Sequence, residues 1–295
     1  MGRMGAVADL RARVTAGLAA LALCCALGGA AQAAESRFFT ASDGTRLHYL
    51  EAGRGNAGTI VFVPGWTMPA WIWQPQIDAF SSRFHVIAFD PRGQGQSEIA
   101  LSGYEPDRRG RDIEELIQAE GDSPVLLVGW SLGVLDALSY VAQCGDSRIA
   151  GLVLVDNSIG EDPPPTPGPR GPKGPKPPRE AARAAFVKGM FHHQQSPDYL
   201  DRLTRASLQL PEPQSKALLS YDKPRTYWRD AVYSTKKPVL YVVRPRWQGQ
   251  AANLTAKAPN AEAVLFDQAG HALFVDEPQK FNAVLTDFIS RKVWP

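Results

Sequence analysis

The sequence is poor in cysteine, in long apolar runs and in net charge, and each scarcity excludes a class of protein. Only three of the 295 residues are cysteine, which excludes a disulfide-rich scaffold. The N-terminal apolar stretch, residues 14–27, is shorter than the roughly 20 residues that a membrane-spanning helix requires. The formal net charge is +2, so nothing in the composition indicates a nucleic acid or an anionic membrane as a partner.

The first 33 residues have the pattern of a secretory leader. Three arginines precede the apolar stretch, and the small residues after it end in an A-x-A cleavage signal at residues 31–33. We therefore expect an exported protein, periplasmic or secreted, whose mature chain begins at Ala34. Membrane anchoring and lipidation at Cys24 are the alternatives. The leader contains two of the three cysteines, so the mature chain keeps Cys144 alone and forms no internal disulfide.

Short apolar runs alternate with helical patterns through most of the chain. Such runs, bounded by turn residues, are typical of strands buried on both faces of a parallel sheet. The sequence therefore predicts an α/β fold, with a mostly parallel central sheet, helices on both faces and a hairpin at residues 43–44 that adds antiparallel strands. The predicted strands are residues 59–63, 85–89, 124–128, 151–155, 238–243 and 263–266.

The alternation stops after Asp156 and resumes at residue 238, which indicates an insertion over one face of the sheet. Residues 163–178 contain nine prolines, a density that excludes a helix or a central strand and predicts an extended connector. A proline-rich ligand for a partner domain is the alternative. Amphipathic patterns after it predict a helical cap. The predicted organisation is a leader at 1–33, a core at 34–158, the connector and cap at 159–235, and the rest of the core at 236–295.

A Gly-Trp-Ser-Leu-Gly motif at residues 129–133 lies between a predicted buried strand and a predicted apolar helix. This is the context of a nucleophile elbow, a tight turn that lifts a serine hydroxyl above the sheet. Ser131 is therefore the candidate nucleophile. Its hydroxyl needs a base, and His271 follows the last predicted strand, at the sheet edge where sites of α/β proteins form. His48 and His85 fall inside predicted strands and are read as structural, and no metal or other cofactor is expected.

Three segments of the chain resemble the α/β-hydrolase superfamily, in particular its haloperoxidase-like and esterase branch with a helical cap. They are the elbow at 129–133, a D-x-R-G-x-G-x-S segment at 90–97, and the Gly-His at 270–271 followed by Asp-Glu-Pro at 276–278. The resemblance implies an oxyanion hole formed by the backbone N–H groups of Leu132 and Trp66. In that branch a histidine usually precedes the glycine before Trp66, and this chain has Pro64 there.

The resemblance also implies an acid that orients the catalytic histidine, and this chain departs from the usual placement. The branch usually has an aspartate just after the penultimate strand, but no carboxylate occurs between Val243 and Glu262. Asp156, at the end of the strand before the insertion, is the predicted acid because both positions can reach the same histidine. Asp90 and Asp267 are weaker candidates, and a capping role is the alternative for Asp156.

Aromatic residues near the elbow and in the cap predict an apolar pocket for an uncharged carboxylic ester. The expected partner is thus a small-molecule ester, and the oligomeric state is not indicated. A haloperoxidase-like perhydrolase, a lactonase, a peptidase or a non-catalytic binding protein are the alternatives. The predicted substrate-contacting residues are Trp130, Met190, Phe191 and Trp228.

Overall fold

The computed structural model describes residues 33–164 and 175–295. The predicted leader lies outside the described residues except for Ala33, and so does the central part of the predicted proline-rich connector. Among the helices of the described residues, none is both long enough and apolar enough to cross a bilayer.

A single eight-stranded sheet organises the chain. Strands β1 and β2 form the predicted hairpin and add antiparallel strands to one edge, whereas the remaining neighbours pair in parallel, in the order β1-β2-β4-β3-β5-β6-β7-β8. This is the predicted α/β architecture. The strands are β1 Glu35–Thr40, β2 Arg46–Ala52, β3 Thr59–Val63, β4 His85–Asp90, β5 Val125–Trp130, β6 Ile149–Val155, β7 Val239–Val243 and β8 Ala261–Leu265.

Helices connect the strands, and four of them are inserted between β6 and β7. The inserted helices are α4 Arg179–Lys188, α5 Pro197–Leu208, α6 Glu212–Ala217 and α7 Arg225–Ser234. The others are α1 Gln74–Phe80, α2 Pro106–Ala119, α3 Leu132–Cys144, α8 Gln248–Lys257, α9 Leu273–Asp276 and α10 Pro278–Phe288. Short 3-10 turns occupy Ala70–Trp73 and Pro245–Trp247, and a π-helical turn occupies Ile289–Val293.

The core is divided between the two faces of the sheet, as the strand pattern requires. Side chains alternate along a strand, so Val61 and Val63 enter one apolar cluster and Ile60 and Phe62 the other. All four are fully buried. Because both faces are covered, the carboxyl ends of the parallel strands are the edge at which polar side chains can gather.

The boundaries of five predicted strands differ from those in the structure by one or two residues. Helix α2 begins at Pro106, and its first turn is polar and carries none of the apolar spacing by which a helix is predicted. Proline is tolerated there because the first helical N–H needs no acceptor within the helix. Strand β5 continues to Trp130, so the elbow begins one residue before Ser131.

Candidate active site

Ser131 stands in a sharp turn between β5 and α3. Its backbone has φ 54° and ψ −118°, a conformation that non-glycine residues rarely adopt, and its N–H donates to Val155 O at 2.9 Å. Two glycines make the turn possible. A Cβ on Gly129 would lie 2.3 Å from Gly133 O, and one on Gly133 would lie 2.4 Å from Val63 O. The sequence therefore forces the serine out of the strand and above the sheet edge.

His271 lies in the loop between β8 and α9, and two hydrogen bonds hold that loop. Trp130 Nε1 donates to His271 O at 2.8 Å, and Gly270 N donates to Asp276 Oδ2 at 2.6 Å. Asp276 also accepts from the backbone of the cap segment, through His192 N at 2.7 Å. The Asp-Glu-Pro segment thus ties the histidine loop to the cap.

The structure brings Ser131, His271 and Asp156 into one hydrogen-bonded chain. His271 Nε2 lies 2.8 Å from Ser131 Oγ, and His271 Nδ1 lies 2.7 Å from Asp156 Oδ2. A carboxylate accepts only, so the short contact places the ring proton on Nδ1 and leaves Nε2 to accept the serine proton. These residues come from three loops at the carboxyl ends of β5, β6 and β8.

Asp156 is fixed more tightly than a simple cap of the insertion would need. Its φ is +48°, its side chain is fully buried, and both of its oxygens accept hydrogen bonds. Arg244 N donates to Oδ1 at 3.0 Å, and Arg244 Nε donates to Oδ2 at 2.6 Å. The other acid candidates do not contact His271: Asp90 contacts His48, and Asp267 is exposed.

Arg244 is a site residue that sequence reasoning missed. It is the first residue after β7, the place where the resemblance led us to look for an aspartate. The sequence signal for it is its position directly after a predicted strand, at the sheet edge where the site lies. The structure shows a guanidinium in that place, which donates to Asp156 and has Nη2 3.4 Å from His271 Nδ1. Since both of those nitrogens carry protons, that contact supplies positive charge and no hydrogen bond.

The predicted oxyanion donors, the backbone N–H groups of Leu132 and Trp66, belong to segments that adjoin Ser131. Leu132 is the first residue of α3, so its N–H has no acceptor within the helix. The loop that carries Trp66 passes close to the serine, since a Cβ on Gly65 would lie 2.9 Å from Ser131 Cβ. Among the described residues, neither the Leu132 nor the Trp66 amide donates a hydrogen bond.

Cap side chains hold the loop that carries Trp66. Arg183 Nη1 donates to Thr67 Oγ1 at 2.9 Å, and the guanidinium lies 4.2 Å from the centre of the Trp66 ring. Trp66 Nε1 donates to Ser215 O at 2.7 Å. Burial, with the nearby charge of Arg179, lowers the pKa of Arg183 below its usual value. The loop thus takes its position from α4 and α6 as well as from the core.

A cavity of about 470 Å³ opens onto Ser131 and His271, and of the four predicted substrate contacts only Trp228 lines it. The other three lie elsewhere. Trp130 is buried beneath the site, where its ring packs on Phe274, because the elbow turns its side chain into the core. Met190 is buried and its carbonyl accepts from Ala272 N at 3.0 Å. Phe191 lines a separate surface cavity with the adjoining cap residues.

Comparisons with known proteins agree with this architecture. The profile of the alpha/beta hydrolase family matches residues 60–284, most of the chain. The chain therefore belongs to the alpha/beta hydrolase family.

Curated relatives cover part of the chain. A non-heme haloperoxidase from Rhodococcus erythropolis is 36% identical over 119 residues, which is 40% of this chain and 43% of that protein. A non-heme chloroperoxidase from Streptomyces lividans is 34% identical over 117 residues, 39% of this chain and 42% of that protein. The matches thus span less than half the length of these relatives.

Among solved structures, an esterase from Rhodococcus sp. ECU1013 has a TM-score of 0.70 at 23% identity and covers 87% of this chain and 99% of that one. That likeness shows a shared fold.

Proposed function

We propose that this protein hydrolyses small or medium carboxylic esters through an acyl-enzyme on Ser131. The observation that carries the proposal is the elbow backbone of Ser131, which sets its hydroxyl at the start of a helix beside unpaired amides. A hydrogen-bonded chain accompanies it, in which His271 Nε2 lies 2.8 Å from Ser131 Oγ and Nδ1 lies 2.7 Å from Asp156. A binding protein that merely kept the fold would need neither the strained serine nor the aligned histidine.

In the first half of the reaction, Ser131 Oγ attacks the ester carbonyl while His271 Nε2 takes its proton. The carbonyl oxygen becomes an anion, and the amides of Leu132 and Trp66 donate to it. Removal of one such donor in a related chemistry costs roughly 3 to 4 kcal/mol, so the pair is a large part of the catalytic effect. Asp156 stabilises the imidazolium that forms and keeps its ring in place.

In the second half, His271 returns the proton to the departing alkoxide, and the alcohol leaves. The acyl group is then esterified to Ser131. Water attacks this ester with His271 as base, the carboxylic acid is released, and the proton returns to Ser131. No step requires a metal or an organic cofactor.

Labelling with a fluorophosphonate tests the proposal, because only an activated serine displaces its fluoride at neutral pH. We expect the wild-type protein to gain one adduct mass and to hydrolyse 4-nitrophenyl butyrate. Ser131→Ala and His271→Ala should do neither while keeping the wild-type circular dichroism spectrum. A wild-type protein that neither labels nor turns over would instead favour the non-catalytic alternative.

Perhydrolysis is a second candidate because two of the relatives are named as haloperoxidases. The chemistry needs only hydrogen peroxide in place of water in the second half of the reaction: peroxide attacks the acyl-enzyme, and a peracid leaves. Adding peroxide during acetate ester turnover and assaying the peracid by bromide oxidation tests this. The Ser131→Ala variant must abolish peracid formation.

We further propose that the protein is exported and that the mature chain begins at Ala34. The A-x-A sequence at residues 31–33 and the arginines before the apolar stretch support this. Intact-mass measurement of the extracellular or periplasmic protein should give a chain without residues 1–33. A protein that retains them, or that carries lipid on Cys24, would refute it.

A further inference from the structure

The cavity beside Ser131 carries an excess of positive charge. Its lining includes three guanidinium groups, and Asp156 is the one carboxylate among the described lining residues. That carboxylate is already paired with Arg244 at 2.6 Å and with His271 at 2.7 Å. Two cationic side chains, Arg225 and Arg246, therefore face the cavity with their charge unbalanced by its lining.

Of these two arginines, Arg246 has fewer polar contacts with the rest of the described chain. Its side chain is exposed and its guanidinium lies 4.6 Å from the centre of the Trp247 ring, which also lines the cavity. Within residues 33–164 and 175–295 it makes neither a hydrogen bond nor an ion pair. A planar guanidinium held against an aromatic ring presents its N–H fork outward, which suits a two-oxygen anion.

Backbone carbonyls hold Arg225 in place, and its one carboxylate partner among the described residues is an exposed one. Its Nη2 donates to the carbonyl oxygens of Glu161 at 2.6 Å and of Gly160 at 3.2 Å. The nearest carboxylate, Asp162 Oδ1, is 3.6 Å away and largely exposed. Carbonyl groups orient a guanidinium without neutralising it, and an ion pair with an exposed carboxylate is screened by water, so Arg225 offers a preorganised and only partly compensated cation at the cavity wall.

The segment between the described ranges brings no compensating carboxylate. Residues 165–174 contain one arginine and one lysine and no aspartate or glutamate. The positive charge of the cavity is therefore not cancelled by that part of the connector. The wall also has an apolar and aromatic part, formed by Leu135, Tyr221 and Trp228, and a polar part at Asn157 and Ser158.

We propose that this cavity selects esters that bear a carboxylate, with Arg246 as the main contact and Arg225 as the second. This deepens, and rests on, the proposed ester hydrolysis. The smallest substrates of this class are half-esters of aliphatic dicarboxylic acids, whose chain contacts the apolar wall while the free carboxylate meets the arginines. The uncharged ester expected from the aromatic content of the sequence is then the poorer substrate.

A pair of matched esters tests the selection. Mono-4-nitrophenyl glutarate carries a carboxylate, and 4-nitrophenyl 5-methylhexanoate carries an isopropyl group of similar shape in its place. For the wild-type protein we expect kcat/KM for the glutarate ester to be higher by about tenfold, the worth of one charge-assisted hydrogen bond. The ratio should fall as salt is added, because the arginines are partly exposed.

Variants of Arg246 test whether this side chain causes the difference in kcat/KM between the two esters. Arg246→Gln should lower the ratio of the two kcat/KM values by about tenfold, and Arg246→Lys should restore part of it, since charge returns without the fork. Arg291→Gln is the matched control: this arginine pairs with Glu262 and Asp287 on the surface and does not line the cavity. It should leave the ratio and the turnover unchanged.

Recognition can also be measured without turnover. Calorimetry with monomethyl glutarate on Ser131→Ala should detect binding that Arg246→Gln in the same background weakens about tenfold.

Equal kcat/KM values for the two esters would overturn the selection while the hydrolysis itself stands. So would a ratio of the two values that Arg246→Gln leaves unchanged. Failure of both esters and of fluorophosphonate labelling would defeat the hydrolysis, and absent calorimetric binding would then defeat the selection as well.

Discussion

Two clusters in this chain have the same three residue types in the same connectivity. We call Ser131, His271 and Asp156 the elbow cluster, and Ser36, His48 and Asp90 the edge cluster. In the edge cluster, Ser36 Oγ lies 2.6 Å from His48 Nε2, and His48 Nδ1 lies 2.7 Å from Asp90 Oδ2. The corresponding distances in the elbow cluster are 2.8 and 2.7 Å. Hydrogen-bond geometry alone therefore does not distinguish a catalytic cluster from a structural one.

The backbone of the serine separates the two clusters. Ser131 has a positive φ and precedes the first turn of α3, so free amides lie beside its hydroxyl. Ser36 lies within the edge strand β1, opposite Leu50 of β2. Successive N–H groups of a strand point to opposite sides, so they cannot converge on one oxygen. Within the part of the chain that the structure describes, the edge cluster can polarise a hydroxyl but has no site for the anion that an attack would create.

A nearby cavity does not separate the clusters either. His48 and Asp90 border a cavity of about 700 Å³, larger than the one at Ser131. The histidines do differ, since His48 is buried while the His271 side chain is 23% exposed. A general base must also pass its proton to a leaving group, which requires access from the cavity. The preorganised amides and the accessible ring are what make the elbow cluster suited to acyl transfer.

Parallel removal of the two serines has the largest expected effect. Ser131→Ala should lower kcat for a neutral 4-nitrophenyl ester by about 10⁵ to 10⁶, because serine and histidine act as one unit. Ser36→Ala should change it by less than about twofold and leave the pH–rate profile unaltered. Equal losses in the two variants would show that the clusters cannot be told apart by their backbones.

Parallel replacement of the two aspartates should separate activity from stability. Asp156→Asn should lower kcat by about 10⁴, because the amide can hold the ring in the wrong tautomer. Asp90 accepts hydrogen bonds from Ala70 N at 2.5 Å and Gln96 N at 2.9 Å, besides His48. Asp90→Asn should therefore cost about 2 to 4 kcal/mol of the free energy of unfolding. Urea unfolding and kinetics on the folded fraction give both quantities, and a reversed pattern would exchange the roles of the clusters.

Arg244 has no counterpart in the edge cluster, and its removal sharpens the comparison further. Arg244→Met removes the Nε donor but keeps the backbone N–H that also binds Asp156. We expect kcat to fall about tenfold, the worth of one charge-assisted hydrogen bond. Partial recovery in Arg244→Lys would identify positioning of the acid as its role. An unchanged kcat in Arg244→Met would show that the backbone N–H is sufficient.

The smallest effect concerns the anchoring of His271. His48 is held by its strand, whereas His271 depends on loop contacts such as the 2.8 Å hydrogen bond from Trp130 Nε1. Trp130→Phe should lower the free energy of unfolding by about 1 kcal/mol and kcat by a few-fold, with KM unchanged. A raised KM at constant kcat would instead restore Trp130 as a substrate contact.

The elbow, the histidine loop and the acid could be reached from sequence because each leaves a local signature. Close-packed glycines flank Ser131, and a glycine precedes His271 in the loop that follows the last strand. Asp156 became the candidate because the resemblance implies an acid and the segment where that acid usually lies has no carboxylate. The carboxyl ends of parallel strands meet at one edge of the sheet, and this arrangement brings the three residues together.

The pocket could not be predicted in the same way, because its wall is assembled from distant segments. Trp73, close in sequence to Trp66, stacks on Phe274 at 3.8 Å in the core and not on the cavity. Trp71 lies beneath the guanidinium of Arg202, 4.0 Å away. The edge cluster was equally hidden: His48 was correctly placed in a strand, but its two partners depend on the pairing of β1, β2 and β4. The spacing of residues along the sequence does not indicate such long-range contacts.

Trapping the acyl-enzyme tests the central claim most directly. The protein is quenched in acid during turnover of a slowly deacylating 4-nitrophenyl ester, digested, and examined by tandem mass spectrometry to locate the acyl group. We expect the peptide that contains Ser131 to carry the acyl mass and the peptide that contains Ser36 to be unmodified. An acyl group on Ser36, or turnover with no acylated serine at all, would contradict it.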